Sequence, residues 1–349
     1  MLQYSGKYRT LPSIAHPFTL EYSTMLKLSC LAAVSLLLTA QSASANEYAA
    51  LITAKKYPEA ERAASAKLAK EPANAEALVG KIDAIMAVGT ESRIGEAVKL
   101  AQQCVAANPA AAPCHLALGK SLGWKAMTGG VMSALSYAGD MRDALKKAVE
   151  LDPNNMDARF TLLQFYMMAP GIMGGGTGKA ETLAGQTAAL NADAGKTMTG
   201  LLDAAADRLP NAEALAMTLR HGANADLNDA QESLLVNIGA KYLSEKKFQD
   251  AERVLREAVK RFPDGESAPF LIVRAQQEQG KHREAVAGLE LQLAKQPRAR
   301  LHYRLGQSLQ ALGEKTKAAG AFEKALALRT GLSGKQISDA EKQLSALKG

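Results

Sequence analysis

Between two apolar segments the chain reads PGIMGGGTGKAE over residues 170–181, five glycines and a lysine in a setting that raises phosphate chemistry first. A loop that cradles nucleotide phosphates on its backbone N–H groups has the spacing G-x-x-x-x-G-K-[ST], with the lysine on the terminal phosphates and the hydroxyl on magnesium. Here Met173 stands where the first glycine is needed and Ala180 where the hydroxyl belongs. The preceding ARFTLLQFYMMA has the spacing of a helix, so no strand leads into the glycines. The loop is expected to lengthen the turn between two paired helices. If it holds a ligand, Gly174, Gly175, Gly176 and Lys179 face it.

Other chemistry finds little support. His16, His115, His221, His282 and His302 are scattered, with no H-E-x-x-H or similar metal spacing. No C-x-x-C occurs, and neither the GKSLG at Gly119, within an expected helix, nor the GLSGKQ at Gly331 follows the strand that would strain its serine into a G-x-S-x-G elbow. No catalytic, cofactor-binding or metal-ligating residue is assigned. Cys104 and Cys114 flank Asn108-Pro109 and Pro113, so they either staple two antiparallel helices or are two small buried residues. Trp124, the single tryptophan, lies in an irregular stretch from Gly123 to Met141 with Met127, Met132 and Tyr137. It reads as a packed anchor. Together with the glycine loop on the neighbouring unit it marks the place for a pocket, should there be one.

The elements that position these residues are helical. Apolar residues make up 47% and aromatics only 5% of the 349 residues, which favours small-residue helices over a β-sandwich. The formal charge of +7 is dispersed, with nothing denser than Lys55-Lys56, Lys146-Lys147 and Lys246-Lys247, so a nucleic-acid footprint is not expected. Such a surface tolerates acidic partners. Residues 25–45 have the form of a secretory signal peptide: Lys27, then the apolar LAAVSLLLTA, then the small-residue exit Ala43-Ser44-Ala45, with cleavage expected after Ala45. The run is too short to span a bilayer, and no later segment is a better candidate. Cys30 precedes the apolar run, which argues against a lipid anchor. Residues 1–24 fit poorly in a leader and are expected to be a non-native or unstructured extension before a true start at Met25.

The rest of the chain repeats. Pro263 and Pro297, Ala251 and Ala285 are each offset by 34 residues, within DAERVLREAVKRFP and EAVAGLELQLAKQP. Upstream, Leu234, Leu235, Ile238, Gly239 and Tyr242 recur at helical spacing, and the last full unit repeats the plan with Leu305-Gly306, Ala318, Phe322 and Ala325. The small residues let paired helices approach closely, and the prolines fix the turns. These units resemble tetratricopeptide repeats: the family's W-x2-L-G-x2-Y, A-x3-F, A, P pattern is met by Leu235, Ile238-Gly239, Tyr242, Ala251, Leu255, Ala258 and Pro263. The APGIMGGGTGKA wording also resembles a variant repeat of exported bacterial members.

The resemblance implies an all-α, right-handed superhelical solenoid of about seven or eight helix-turn-helix units. We expect an N-terminal array over residues 46–228 and a C-terminal array over 229–349, closed by a polar capping helix. The implied function is a non-enzymatic scaffold or adaptor in a Gram-negative periplasm, holding a protein or peptide partner in its groove, with no cofactor, nucleic acid or integral membrane segment. Phe270, Arg274, Tyr303, Arg304 and Gln307 are the expected groove wall, its two arginines and aromatics suited to a carboxylate or a glycan chain. The family's lysine-asparagine carboxylate clamp is not recognisable, because Val236 and Ala240 occupy positions where polar residues are wanted. The alternative is a binding module for a small or polymeric ligand, such as a cell-wall glycan, seated near Trp124 and the glycine loop.

Overall fold

The computed structural model of the protein describes residues 47–222 and 224–348; the leader and its expected cleavage site lie outside them. Among the described residues there are seventeen α-helices and no strand. Eight antiparallel pairs follow one another: α1 (Glu47–Thr53) with α2 (Tyr57–Leu68), α3 (Ala75–Val88) with α4 (Ile94–Ala107), α5 (Ala112–Thr128) with α6 (Gly130–Leu151), and α7 (Met156–Met168) with α8 (Thr177–Leu190). Then come α9 (Ala192–Ala205) with α10 (Leu209–Thr218), α11 (Ala225–Ser244) with α12 (Phe248–Arg261), α13 (Ser267–Glu278) with α14 (His282–Lys295), and α15 (Ala299–Ala311) with α16 (Lys315–Ala327). A last helix, α17 (Gly334–Lys348), packs on α16 and closes the stack.

Local chemistry sets the helix ends. Pro72, Pro109, Pro153, Pro263 and Pro297 lie just beyond α2, α4, α6, α12 and α14, where a proline cannot extend the helix. Four first helices open on asparagine caps: Asn74, Asn155 and Asn224 accept from the backbone N–H of Ala77, Ala158 and Leu227 at 2.9, 2.9 and 3.1 Å, and Asn191 accepts from Ala194 at 3.0 Å. In five of the eight pairs, the turn places a left-handed residue two positions before the second helix. Gly280 and Gly313 fill this place in the last two pairs, but Lys55, Asp207 and Lys246 fill it elsewhere, at φ of 58°, 56° and 61°. A side chain there costs energy that glycine avoids. Lys246→Gly should therefore stabilise the fold by about 0.5 to 1 kcal/mol, read from the midpoint of urea unfolding.

Glycines on the first helices let their partners close in. A Cβ on Gly239 would meet Leu255 at 2.5 Å, and one on Gly306 would meet the Phe322 ring at 2.8 Å. The corresponding contact in the third pair is Gly119 with Leu145. Gly239 and Leu255, like Gly306 and Phe322, are 16 residues apart, whereas Gly119 and Leu145 are 26 apart. The ten-residue excess is the irregular stretch around Trp124, and the structure builds it as helix instead of loop: α5 and α6 are each prolonged and break only at Gly129-Gly130. No residue of Trp124–Thr128 or Val131–Tyr137 opposes helix, so the hairpin simply grows longer.

Successive first helices pack on one another (α3 on α5, α7 on α9, α9 on α11, α11 on α13) more closely than successive second helices do. The first helices are thus the inner row of the stack. Cys104, near the end of α4, is disulfide-bonded to Cys114 in the first turn of α5, with both residues fully buried. The bond ties the second pair to the third. Far along the stack the edges meet again, where Lys55 pairs with Glu266 at 3.4 Å.

Candidate functional site

The glycine loop is occupied by its own backbone. After α7, the N–H groups of Gly174, Gly175 and Gly176 donate to the carbonyls of Gly171, Pro170 and Tyr166 at 3.0, 3.2 and 2.8 Å. Gly174 and Gly176 have φ of 90° and 119°, and a Cβ on Gly175 would collide with the Ala169 carbonyl. Lys179 turns back to donate its ammonium to the Gly174 carbonyl at 2.9 Å. The donors that would hold a phosphate are consumed in closing the turn. The glycines answer a backbone requirement.

Beside this loop lies a pocket of about 580 Å³ between the prolonged α5–α6 hairpin and α7. Trp124, Phe165 and five methionines (Met86, Met127, Met141, Met168 and Met173) line it, together with Pro170 of the loop. Trp124 and the glycine-loop segment are therefore neighbours, although Gly174, Gly175, Gly176 and Lys179 do not line the cavity. Lys120, Thr161 and Gln164 are its polar side chains. Lys120 is ion-paired with Asp157, which also accepts from the Thr161 hydroxyl at 3.2 Å.

From there an acidic strip runs along the inner row: Asp83 on α3, Asp157 on α7, Asp226 and Asp229 on α11. Burial pushes the Asp83 carboxyl up to about 6; Asp157 adds to the rise and Lys120 opposes it. Asp226 and Asp229 are raised for the same reasons, burial first and then Asp157. Among the described residues no cluster of these side chains is close enough to hold a metal ion. Because the folded chain binds a proton at Asp83 more readily than the unfolded chain, whose carboxyl titrates near 3.8, stability falls as pH rises between those values and levels off above about 6. Asp83→Asn should remove this slope: the variant melts higher than the parent at pH 7 and matches it at pH 4, in thermal scans across that range.

The C-terminal wall of the same row is cationic. The Arg300 and Arg304 guanidinium carbons lie 4.8 and 6.0 Å from the centre of the Phe270 ring. The Nε atoms of Arg274, Arg300 and Arg304 are all buried without a hydrogen-bond partner. Arg274 has a carboxylate, Glu278, at 3.7 Å, and Arg304 reaches the Gln277 amide oxygen at 3.1 Å. Burial lowers the pKa of Arg304, and the like charge of Arg274 lowers it further. Arg300, missed in the sequence, belongs to this cluster; its signal was the four-residue spacing to Arg304. Tyr303 and Gln307 face elsewhere. The Tyr303 hydroxyl donates to Asp339 of α17 at 2.7 Å, Gln307 donates to that hydroxyl at 2.9 Å, and the ring lies against Phe322. Burial and Asp339 push the Tyr303 phenol up to about 12. These two residues secure the capping helix.

This arrangement is a stack of helical hairpins with a shaped inner surface, and the comparisons give its class. Residues 242–312 match one tetratricopeptide-repeat model and residues 299–331 match a second. This C-terminal segment is thus similar to tetratricopeptide repeats, units that generally act as non-enzymatic scaffolds for protein partners. No curated protein matches the chain in sequence. Similar solved structures include a tetratricopeptide repeat protein from Parabacteroides merdae, 14% identical with a TM-score of 0.43 over 87% of this chain and 97% of that one. Others are Pseudomonas aeruginosa pilF, 17% identical at 0.42 over 67% and 98%, and yeast Tom70, 14% identical at 0.49 over 77% and 53%. No helix among the described residues is long and apolar enough to cross a membrane.

Proposed function

We propose that this protein is a non-enzymatic scaffold, exported to a Gram-negative periplasm, that holds an envelope protein by a segment laid along the inner row of helices. The observation that carries the reading is Arg300 and Arg304 over the Phe270 ring, with Arg274 close to Arg304. Burial and a like charge, Arg274 on Arg304 and Arg298 on Arg300, are costs to these guanidinium groups, and the buried Nε donors of Arg274, Arg300 and Arg304 have no partner. A carboxylate on a bound polypeptide would relieve both costs through charge-assisted hydrogen bonds. Export is supported by the form of residues 25–45 and by the Cys104–Cys114 disulfide, which suits an oxidising compartment.

The glycan alternative is less well served by the pocket beside Trp124, where Lys120, Thr161 and Gln164 are the few polar side chains in a methionine-rich, mostly apolar lining. The test is direct. A fluorescein-labelled peptide rich in glutamate should bind, with affinity falling steeply as salt rises, and Arg300→Ala/Arg304→Ala should weaken it at least tenfold. Equal binding of the same peptide with glutamine at every acidic position, or an unaffected double variant, would contradict the reading.

A further inference from the structure

We propose that the methionine-lined pocket and the aspartate strip beside it form one docking site for an amphipathic helix of a partner. Its large apolar side chains would enter the pocket, and its basic residues would face Asp83, Asp157, Asp226 and Asp229. This deepens the scaffold reading and rests on it.

The apolar half is conspicuous because water is left in contact with it. Met127, Met132, Met168 and Ile172 are 74, 78, 68 and 95% exposed, all at the tip of the α5–α6 hairpin or on the facing α7 and its loop. No side chain of α6 is buried before Ala138, so its first two turns project beyond the stack with Val131, Met132 and Leu135 uncovered. Methionine is flexible and polarisable and moulds itself to varied apolar surfaces, which suits a groove that accepts a helix face. A cavity of about 580 Å³ has room for several leucine-sized side chains.

Charge decides which helix. The chain as a whole is positive, at +7, yet four aspartates stand around the single Lys120 on this part of the inner row. The strip and the pocket are continuous, since Lys120 and Thr161 line the cavity while both contact Asp157. A partner with basic residues beside its apolar face satisfies both halves, whereas an acidic one is repelled. Strand addition is not available, because the described residues offer no sheet edge.

Trp124 lines the pocket and is the only tryptophan, so its fluorescence reports on this site alone. The chain from Asn46 to Gly349 is titrated with a leucine-lysine amphipathic helix of about 18 residues, with its leucine-glutamate counterpart, and with vesicles of phosphatidylglycerol and phosphatidylcholine. The expected result is a blue shift with the lysine peptide, at least tenfold weaker binding of the glutamate peptide, and no response to vesicles. Asp83→Asn/Asp226→Asn/Asp229→Asn should weaken the lysine peptide at least tenfold, as should Met127→Gln/Met168→Gln, whose exposed positions leave folding intact by circular dichroism. Equal affinity for the two peptides, an unchanged Trp124 spectrum, or a response to vesicles only would overturn the proposal. Binding of the glutamate-rich fluorescein peptide at Arg300 and Arg304 is followed on the same sample. If it persists while the lysine peptide fails, only the docking site is refuted; if it is lost too, the scaffold reading falls with it.

Discussion

Phe322→Ala is expected to unfold the last pair while leaving the middle of the stack in place. Phe322 is fully buried, its ring lies over Gly306 and beside Tyr303, and its cluster includes Ala340 of the capping helix. Truncation leaves a cavity that Gly306 cannot fill, and a buried phenylalanine lost this way costs about 3 to 5 kcal/mol. Because α15, α16 and α17 pack mainly on one another and on the preceding hairpin, the loss falls on them instead of being shared by the whole chain. Hydrogen exchange should show those helices losing protection by two or more orders of magnitude, with α7 to α11 unchanged. A uniform loss across the stack would mean that the hairpins fold as a single cooperative body.

The second large effect is expected at Arg261, which closes a helix that is not its own. The C-terminal carbonyls of α10 point into the protein, and the Arg261 guanidinium donates to those of Ala216 and Met217 at 2.9 and 2.8 Å and to Leu219 at 3.3 Å. Its Nε donates to Glu257 at 2.6 Å, and the Gln231 amide shares the Ala216 and Leu219 carbonyls at 2.9 and 2.8 Å. Helix ends leave such carbonyls without intrahelical partners, and a cation there also complements the helix dipole. Arg261→Met keeps most of the volume and removes every one of these donors. A loss of about 2 to 4 kcal/mol should follow in chemical denaturation, and Arg261→Lys should recover less than half of it because an ammonium cannot reproduce the fork. A change within about 0.5 kcal/mol would mean that Gln231 and water satisfy the helix end unaided.

Both residues mark what a linear reading can and cannot reach. The glycine before Tyr242, the alanine at 251 and the prolines at 263 and 297 announce the C-terminal hairpins, because close approach and turn formation demand those residue types locally. The pattern fades at α9 and α10 for a physical reason. α9 buries Gly195, Thr197, Gly200 and Asp203 beside Met198 and Leu202, so small and polar residues stand where large apolar ones would spell the repeat. α10 ends where Arg261 and Gln231, distant in sequence, cap it. The acidic strip was equally hidden, since Asp83, Asp157, Asp226 and Asp229 belong to three helices and each alone resembles surface charge. Conversely, Tyr303 and Gln307 stand on the same helix as Arg304, and only the placement of Asp339 on α17 turns them away from the arginine cluster.

The central claim is that the inner row of helices, and not any reactive group, does the work. Photo-crosslinking in living cells tests it most directly, with a benzophenone residue placed at Arg274 or Met168 on the inner row and at Lys260 on the outer face of α12. The account expects discrete adducts to the same partner from the inner positions and none from Lys260. Adducts from Lys260 alone, or equal labelling from both faces, would contradict it.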